Sequence, residues 1–170
     1  MTVVAESSEL TVTFDTPVSP ARAAETNAVL QQSLEKPAAV AEGQDPGPTY
    51  PVVRCSDGKR TFTDRNGTFN VRYNCGYNNV NWGYNVSPAV VAIAVSNMQE
   101  TGVPWYKGSQ FLGKNSPHNV PVDYFLHGTQ GGVNSADLLH WYDTMTFRVN
   151  AGGNPGTANL NVGGSFVVYR

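Results

Sequence analysis

Apolar and polar residues alternate with a period of two along most of the chain after Tyr50. The clearest alternation spans residues 69–75, in which every second residue is apolar or cysteine and the intervening residues are polar. Similar short runs recur at intervals of about 10 residues, separated by Gly, Asn, Asp and Pro. This pattern predicts an all-β domain, either a β-sandwich or a small barrel.

A denser apolar run, residues 87–97, is predicted to be the central strand of that domain. Its branched residues Val91, Ile93 and Val95 fall on one face of an extended chain and small residues fall on the other. Neither face suits water, which is typical of a buried strand.

The remaining segments of the domain are assigned from turn residues and local periodicity. Residues 75–84 are predicted to form an aromatic loop, and Gly163 and Gly164 to form a bulge. We further expect a hairpin at 105–112, a strand at 120–126, a break at 128–132, a helical turn within 135–142 and a strand at 144–150.

Residues 1–48 differ in composition from residues 49–170, since they are rich in Ala, Glu, Ser and Pro. Such a segment does not bury enough apolar surface to fold alone, so a flexible N-terminal arm is expected before the β domain. Deleting residues 1–45 is then expected to leave a stable domain but to abolish partner binding. A processed leader or a disordered tail is the alternative interpretation.

Two parts of the arm carry ordered patterns. Alternating apolar residues predict a docking strand, and 21–35 predicts a weak helix that begins after Ser19 and Pro20. Strand and helix are hypothesised to bind a partner, by adding to a sheet edge or by filling a groove. The apolar residues concerned are Leu10, Val12 and Phe14 in the strand, and Leu30 and Leu34 in the helix.

The two cysteines, Cys55 and Cys75, are predicted to form a disulfide, and two buried thiols are the alternative. A disulfide indicates an oxidising compartment, so we expect a secreted, extracellular protein. Met1 is not followed by an export signal, and it is interpreted as an expression start that replaces a removed one.

Composition limits the function classes. The chain has 170 residues, a net charge of −2 and only 14% charged residues, so it has no field that attracts nucleic acid. No apolar run reaches the roughly 20 residues of a membrane span. Two distant cysteines do not make a metal site, and neither a metal nor a cofactor is expected.

The three histidines carry no recognisable catalytic motif. A site built from His127, His140 and either Asp123 or Asp143 is a candidate acid–base pair. The simpler interpretation is that these two histidines and the third one, His118, form hydrogen bonds at strand ends and in loops. We therefore expect a protein that is not an enzyme, with a small hydrolase as the last alternative.

The aromatic residues are more informative, because Trp and Tyr are enriched at interfaces. Tyr77, Trp82 and Tyr84 in the predicted loop are hypothesised to contact a partner. Trp and Tyr together with Asn also suit a glycan ligand, so a carbohydrate-binding module stays open. Tyr169 and Arg170 are further candidates, since arginine is the residue that a trypsin-like cleft selects. An arginine at this position is also compatible with a protease inhibitor, which is a further alternative function.

The chain from Pro51 to Arg170 resembles small exported β-domain proteins of actinobacteria. The layout, a flexible arm before a disulfide-linked β domain, is similar to that of the adaptor subunit of the umbrella toxin particles of Streptomyces. This resemblance implies a secreted adaptor that joins a lectin-bearing protein with a degenerate trypsin-like domain to a large toxin subunit. The segments that carry the resemblance are 67–75, 82–84, 93–97, 124–129 and 146–148.

Overall fold

The computed structural model describes residues 8–16 and 50–170, which form twelve strands, one short helix and one 3₁₀ turn. The predicted helix at 21–35, with Leu30 and Leu34, lies outside the described residues. The elements are β1 (Glu9–Phe14), β2 (Val52–Arg54), the 3₁₀ turn (Cys55–Asp57), β3 (Arg60–Thr63), β4 (Gly67–Asn74), β5 (Asn79–Val86), α1 (Pro88–Ile93), β6 (Met98–Glu100), β7 (Pro104–Lys107), β8 (Gln110–Lys114), β9 (His118–Val120), β10 (Leu126–Gly131), β11 (Leu138–Ala151) and β12 (Asn154–Tyr169).

A long hairpin of β11 and β12 organises the larger sheet, which we call sheet A. The two strands pair along the whole length of β11, and the turn between them contains Gly152 and Gly153, both with positive φ. The other edge of β12 pairs with β1 along its first half and with β2, in parallel, along its end. The other edge of β11 pairs with β7 and β6, which extend the sheet to β8 and β9.

The smaller sheet, sheet B, has the strand order β10-β5-β4-β3, with all pairs antiparallel. Aromatic rings join the two sheets: Phe69 of β4 stacks on Trp141 of β11, and Trp82 of β5 contacts Trp105 of β7. The predicted all-β sandwich is therefore confirmed. In the part of the chain that the structure describes, the sheets do not close into a barrel.

The predicted disulfide between Cys55 and Cys75 is confirmed, with the two Cα atoms 5.8 Å apart. Cys55 directly follows β2 of sheet A, and Cys75 directly follows β4 of sheet B. The bond therefore covalently links the two layers of the sandwich.

The strand predicted from Leu10, Val12 and Phe14 is confirmed as β1. β1 pairs with the edge of β12 of the same chain, in a continuous antiparallel register from Glu9 to Phe14. Leu10 and Val12 pack against the core. Residues 9–14 thus belong to sheet A, although composition groups them with the rest of residues 1–48.

The prediction of a central strand at 87–97 is wrong. Residues 88–93 form α1, whose first turn is capped by Ser87 and begins with Pro88. A Ser-Pro pair at these two positions is a helix start signal, because the serine side chain accepts from a free N–H and proline needs no partner there. After the helix, Ala94 forms an isolated antiparallel bridge with Val149 of β11, and the N–H of Val95 donates to the carbonyl of Arg148.

Five further segments differ from the sequence-based predictions. The 75–84 segment is a turn only up to Asn78, and β5 follows. The strand expected at 120–126 ends at Val120, and the break expected at 128–132 lies largely in β10. In place of the helical turn expected within 135–142, Ser135 and Ala136 form a turn and β11 begins at Leu138. The register between β11 and β12 passes Gly163 and Gly164 without a bulge. The hairpin at 105–112 is confirmed as β7 and β8.

Candidate functional site

A cleft of about 590 Å³ lies on the outer face of sheet B. This face exists because β4 and β5 direct alternate side chains into the core, which leaves the intervening ones outside. The cleft is lined by Lys59, Asn70, Val71, Arg72, Asn81, Trp82, Gly83, Phe125, His127, Gly128 and Thr129.

Strand register arranges the outward residues in two rows across the sheet. One row runs through Thr61, Asn70, Gly83 and His127, which are paired successively from β3 to β10. The second row runs through Arg72, Asn81 and Thr129. Lys59 extends the second row, because it precedes Arg60, whose partner is Val71. Residues that are distant in sequence therefore meet on one surface.

Two asparagines in the cleft are oriented by threonines. Thr61 Oγ1 donates to Asn70 Oδ1 at 2.9 Å, and Thr129 Oγ1 donates to Asn81 Oδ1 at 2.8 Å. Both amide oxygens are thereby used. Within the described residues, both Nδ2 groups remain without a hydrogen-bond partner, so they are free to donate to a ligand.

The charge of the cleft is positive. Lys59 and Arg72 are exposed, and neither forms an ion pair within residues 8–16 and 50–170. His127 adds a third basic side chain, and the lining set contains no Asp or Glu. The cleft therefore offers cationic donors to a ligand.

Phe125 provides an apolar wall. Its ring lies over Gly83, where a Cβ atom on residue 83 would collide with the ring. The ring also contacts the imidazole of His127 edge-on, with centroids 5.3 Å apart. Because 42% of Phe125 is exposed, the ring is accessible to a ligand.

A second surface, which we call the aromatic patch, consists of Tyr106, Phe111 and Tyr142 on sheet A. The rings of Tyr106 and Tyr142 are stacked 6.1 Å apart, and Phe111 contacts Tyr106 at 5.6 Å. Phe111 is 55% exposed and Tyr142 is 50% exposed. Exposed aromatic groups of this kind are typical of contact surfaces.

A buried acidic pair, Glu100 and Asp143, lies inside sheet A. The pKa of Asp143 is raised to about 8, mainly because the carboxyl is buried and also because its protonated form shares a hydrogen bond with Glu100. Asp143 Oδ1 accepts from the backbone N–H of Thr144 at 2.8 Å, whereas the buried Oδ2 has no hydrogen-bond partner among the described residues. Once protonated, the Asp143 carboxyl can donate to Glu100. Glu100 also contacts His118 Nδ1 at 2.6 Å. The arrangement is a buried hydrogen-bonded chain outside both surfaces described above.

The histidines do not assemble the predicted acid–base pair. His140 Nδ1 bonds to Ser165 Oγ at 2.6 Å, and His127 lies in the cleft. Asp143 bonds to neighbours of its own sheet instead of to either histidine. Within the described residues, no cluster of three or more His, Cys, Asp or Glu suits a metal ion.

The other predicted contact residues have different environments. Tyr77 is 83% exposed, whereas Trp82 and Tyr84 are buried core residues of β5, so their expected exposure in a loop is wrong. Trp82 nevertheless lines the inner side of the cleft. Tyr169 is half-exposed beneath the guanidinium of Arg54, and Arg170 is exposed.

Most of the cleft was missed by the sequence reasoning. The sequence does contain one indication of the cleft: polar residues, including Asn70 and Arg72, alternate with the core residues of 69–75. That signal marks an outward face, but it does not show which residues of β5 and β10 lie beside it.

Comparisons with known proteins give no match: no family model, no curated protein and no solved structure is similar to this chain. Among the described residues, no helix has the length and apolar character needed to cross a membrane.

Proposed function

We propose that this protein is a secreted, non-catalytic binding module and that the cleft on sheet B binds a carbohydrate. The observation that carries the proposal is the exposed Phe125 ring beside the free amide nitrogens of Asn70 and Asn81. A sugar ring has an apolar C–H face and a rim of hydroxyl oxygens. The cleft offers a matching partner to each.

The rigidity of the site supports this function. The asparagines and Arg72 stand on paired strands, so the binding groups are positioned before a ligand arrives. Pre-positioned donors lose less conformational freedom on binding than donors on a loop. Secretion is supported by the Cys55–Cys75 disulfide, which persists in oxidising compartments.

The test is a glycan array, followed by titration calorimetry with the best ligand. Phe125→Ala should weaken binding at least tenfold, because the apolar wall is removed. Phe111→Ala is the matched control, since it removes an exposed phenylalanine of sheet A outside the cleft. The proposal fails if no carbohydrate binds, or if the two variants have equal effects.

A second function, an adaptor in a secreted protein assembly, is favoured by the aromatic patch. Tyr106, Phe111 and Tyr142 present an apolar surface beside β8, which pairs only with β7 among the described strands. Proteins use such surfaces and edges to bind each other. Partners that the sequence resemblance implies are a subunit with a trypsin-like cleft and a large toxin subunit.

Affinity capture from the native culture fluid, followed by size-exclusion chromatography, tests the adaptor function. We expect co-elution with a large assembly, and its loss in the Phe111→Ala/Tyr142→Ala variant. Phe125→Ala should not affect this interaction. Elution of the wild-type protein as a monomer would exclude the adaptor function.

A further inference from the structure

We infer that the cleft selects carbohydrates that carry carboxylate groups, such as uronic acid oligosaccharides. The inference rests on the proposed function, because it specifies the ligand class of the same cleft. Its basis is the juxtaposition of Lys59 and Arg72 with two oriented asparagine amides on the outer face of sheet B.

The two cations and the two free amide nitrogens of the cleft are donors. The threonines occupy the amide oxygens of Asn70 and Asn81, which leaves Nδ2 of each residue available. Lys59 and Arg72 have donors only. A neutral sugar hydroxyl both donates and accepts, whereas a carboxylate only accepts. The donor-rich cleft therefore matches an acceptor-rich ligand better than a neutral one.

The positions of the two cations support the same conclusion. Lys59 directly precedes β3, whose first residue Arg60 pairs with Val71, so Lys59 and Arg72 line the same end of the cleft. Like charges that lie close together repel each other. Among the described residues no Asp or Glu lines the cleft, so none of them neutralises the two charges there. An anionic ligand would neutralise them, and the planar guanidinium of Arg72 suits a bidentate contact with a carboxylate.

Phe125 distinguishes an acidic sugar from a simple anion. The exposed ring lies in the same cleft as the cations, so a ligand that fills it has an apolar face next to its negative charge. A uronic acid has both within one ring. Inorganic anions lack the apolar face, and so does an acidic peptide made of aspartate alone.

The experiment compares tri-galacturonate with its fully methyl-esterified form, which has the same sugar backbone but no charge, in titrations against the full chain at low ionic strength. We expect the acid to bind at least tenfold more tightly than the ester. Arg72→Gln and Lys59→Gln should each reduce that preference to less than threefold. Lys114→Gln on β8 is the control, because it makes the same charge change outside the cleft.

Each result has a defined meaning. Equal affinity for acid and ester overturns the inference while the carbohydrate function stands, and absence of binding to every glycan overturns both. Equal binding of a tri-aspartate peptide also overturns it, because charge alone would then be recognised. Thermal unfolding of each variant checks folding, and the two independent substitutions in the cleft keep the test decisive if one variant does not fold.

Discussion

The ring of Phe125 rests on Gly83, and the absence of a Cβ atom at residue 83 is what allows this contact. We expect Gly83→Ala to displace the ring, because the new methyl group occupies its place. The ring is partly exposed and free to move, so stability should fall by less than about 1 kcal/mol. Binding of the glycan should fall at least tenfold, as measured by calorimetry.

Gly131→Ala is the matched control for this change. Residue 131 is in β10 of the same sheet, and an added Cβ there has no neighbour within 4 Å. Its glycan affinity should equal that of the wild-type protein. Tight binding by Gly83→Ala would show that Phe125 does not form part of the site.

Asp143 should make stability dependent on pH. Its pKa is about 8 in the folded protein against 3.8 as the ordinary value, so between these limits the folded state keeps a proton that the unfolded state releases. Stability therefore falls as pH rises through this window, by up to about 1.4 kcal/mol per pH unit. Urea unfolding at pH 5, 6, 7 and 8 measures the slope.

Asp143→Asn isolates the contribution of this one group. The amide does not titrate, and it can donate to Glu100 at every pH. Glu100 and His118, which face Asp143 or its partner, are present in both proteins, so the difference in slope is assigned to Asp143. Parallel curves for wild type and variant would contradict the assigned proton.

The disulfide should contribute about 3 kcal/mol to stability, as expected for a closed loop of about 20 residues. We expect Cys55→Ser/Cys75→Ser to unfold at lower urea concentration than the oxidised protein. The reduced wild-type protein is the control and should behave like the variant. If reduction leaves the midpoint unchanged, then the link between β2 and β4 does not constrain the unfolded chain.

Removal of residues 1–16 should destabilise the protein, contrary to the expectation from composition. The deletion uncovers the edge of β12 that β1 covers and exposes apolar core surface. Leu10→Ser/Val12→Ser should lower the thermal midpoint in the same direction, whereas Thr11→Ser/Thr13→Ser on the exposed face should not. A truncated protein as stable and monomeric as the wild type would refute this role of β1.

The alternating pattern predicted the strands that have one dry and one wet face, including β1 and β4, because that property is local. It failed at 88–93, where a run of small and branched residues is too short to show a helical period. The deciding signal was the pair Ser87 and Pro88, which is also local.

The cleft depends on non-local information. β10 reads as a loop because of its glycines, yet Gly128 is required where the Trp82 indole lies 2.9 Å from the position of a Cβ atom. The register that places Arg72 beside Asn81, and Asn81 beside Thr129, is set by the packing of three strands. A single sequence does not contain that register in readable form.

The central position of β12 also determines when the protein can fold. Both β1 and β2, which come early in the chain, use residues 154–169 as their sheet partner. During synthesis from the N-terminus, their hydrogen-bonding edges therefore stay open until residues 154–169 have left the ribosome. The larger sheet is therefore completed only after residues 154–169 have been made, so its long-range pairing is expected to be a late step of folding.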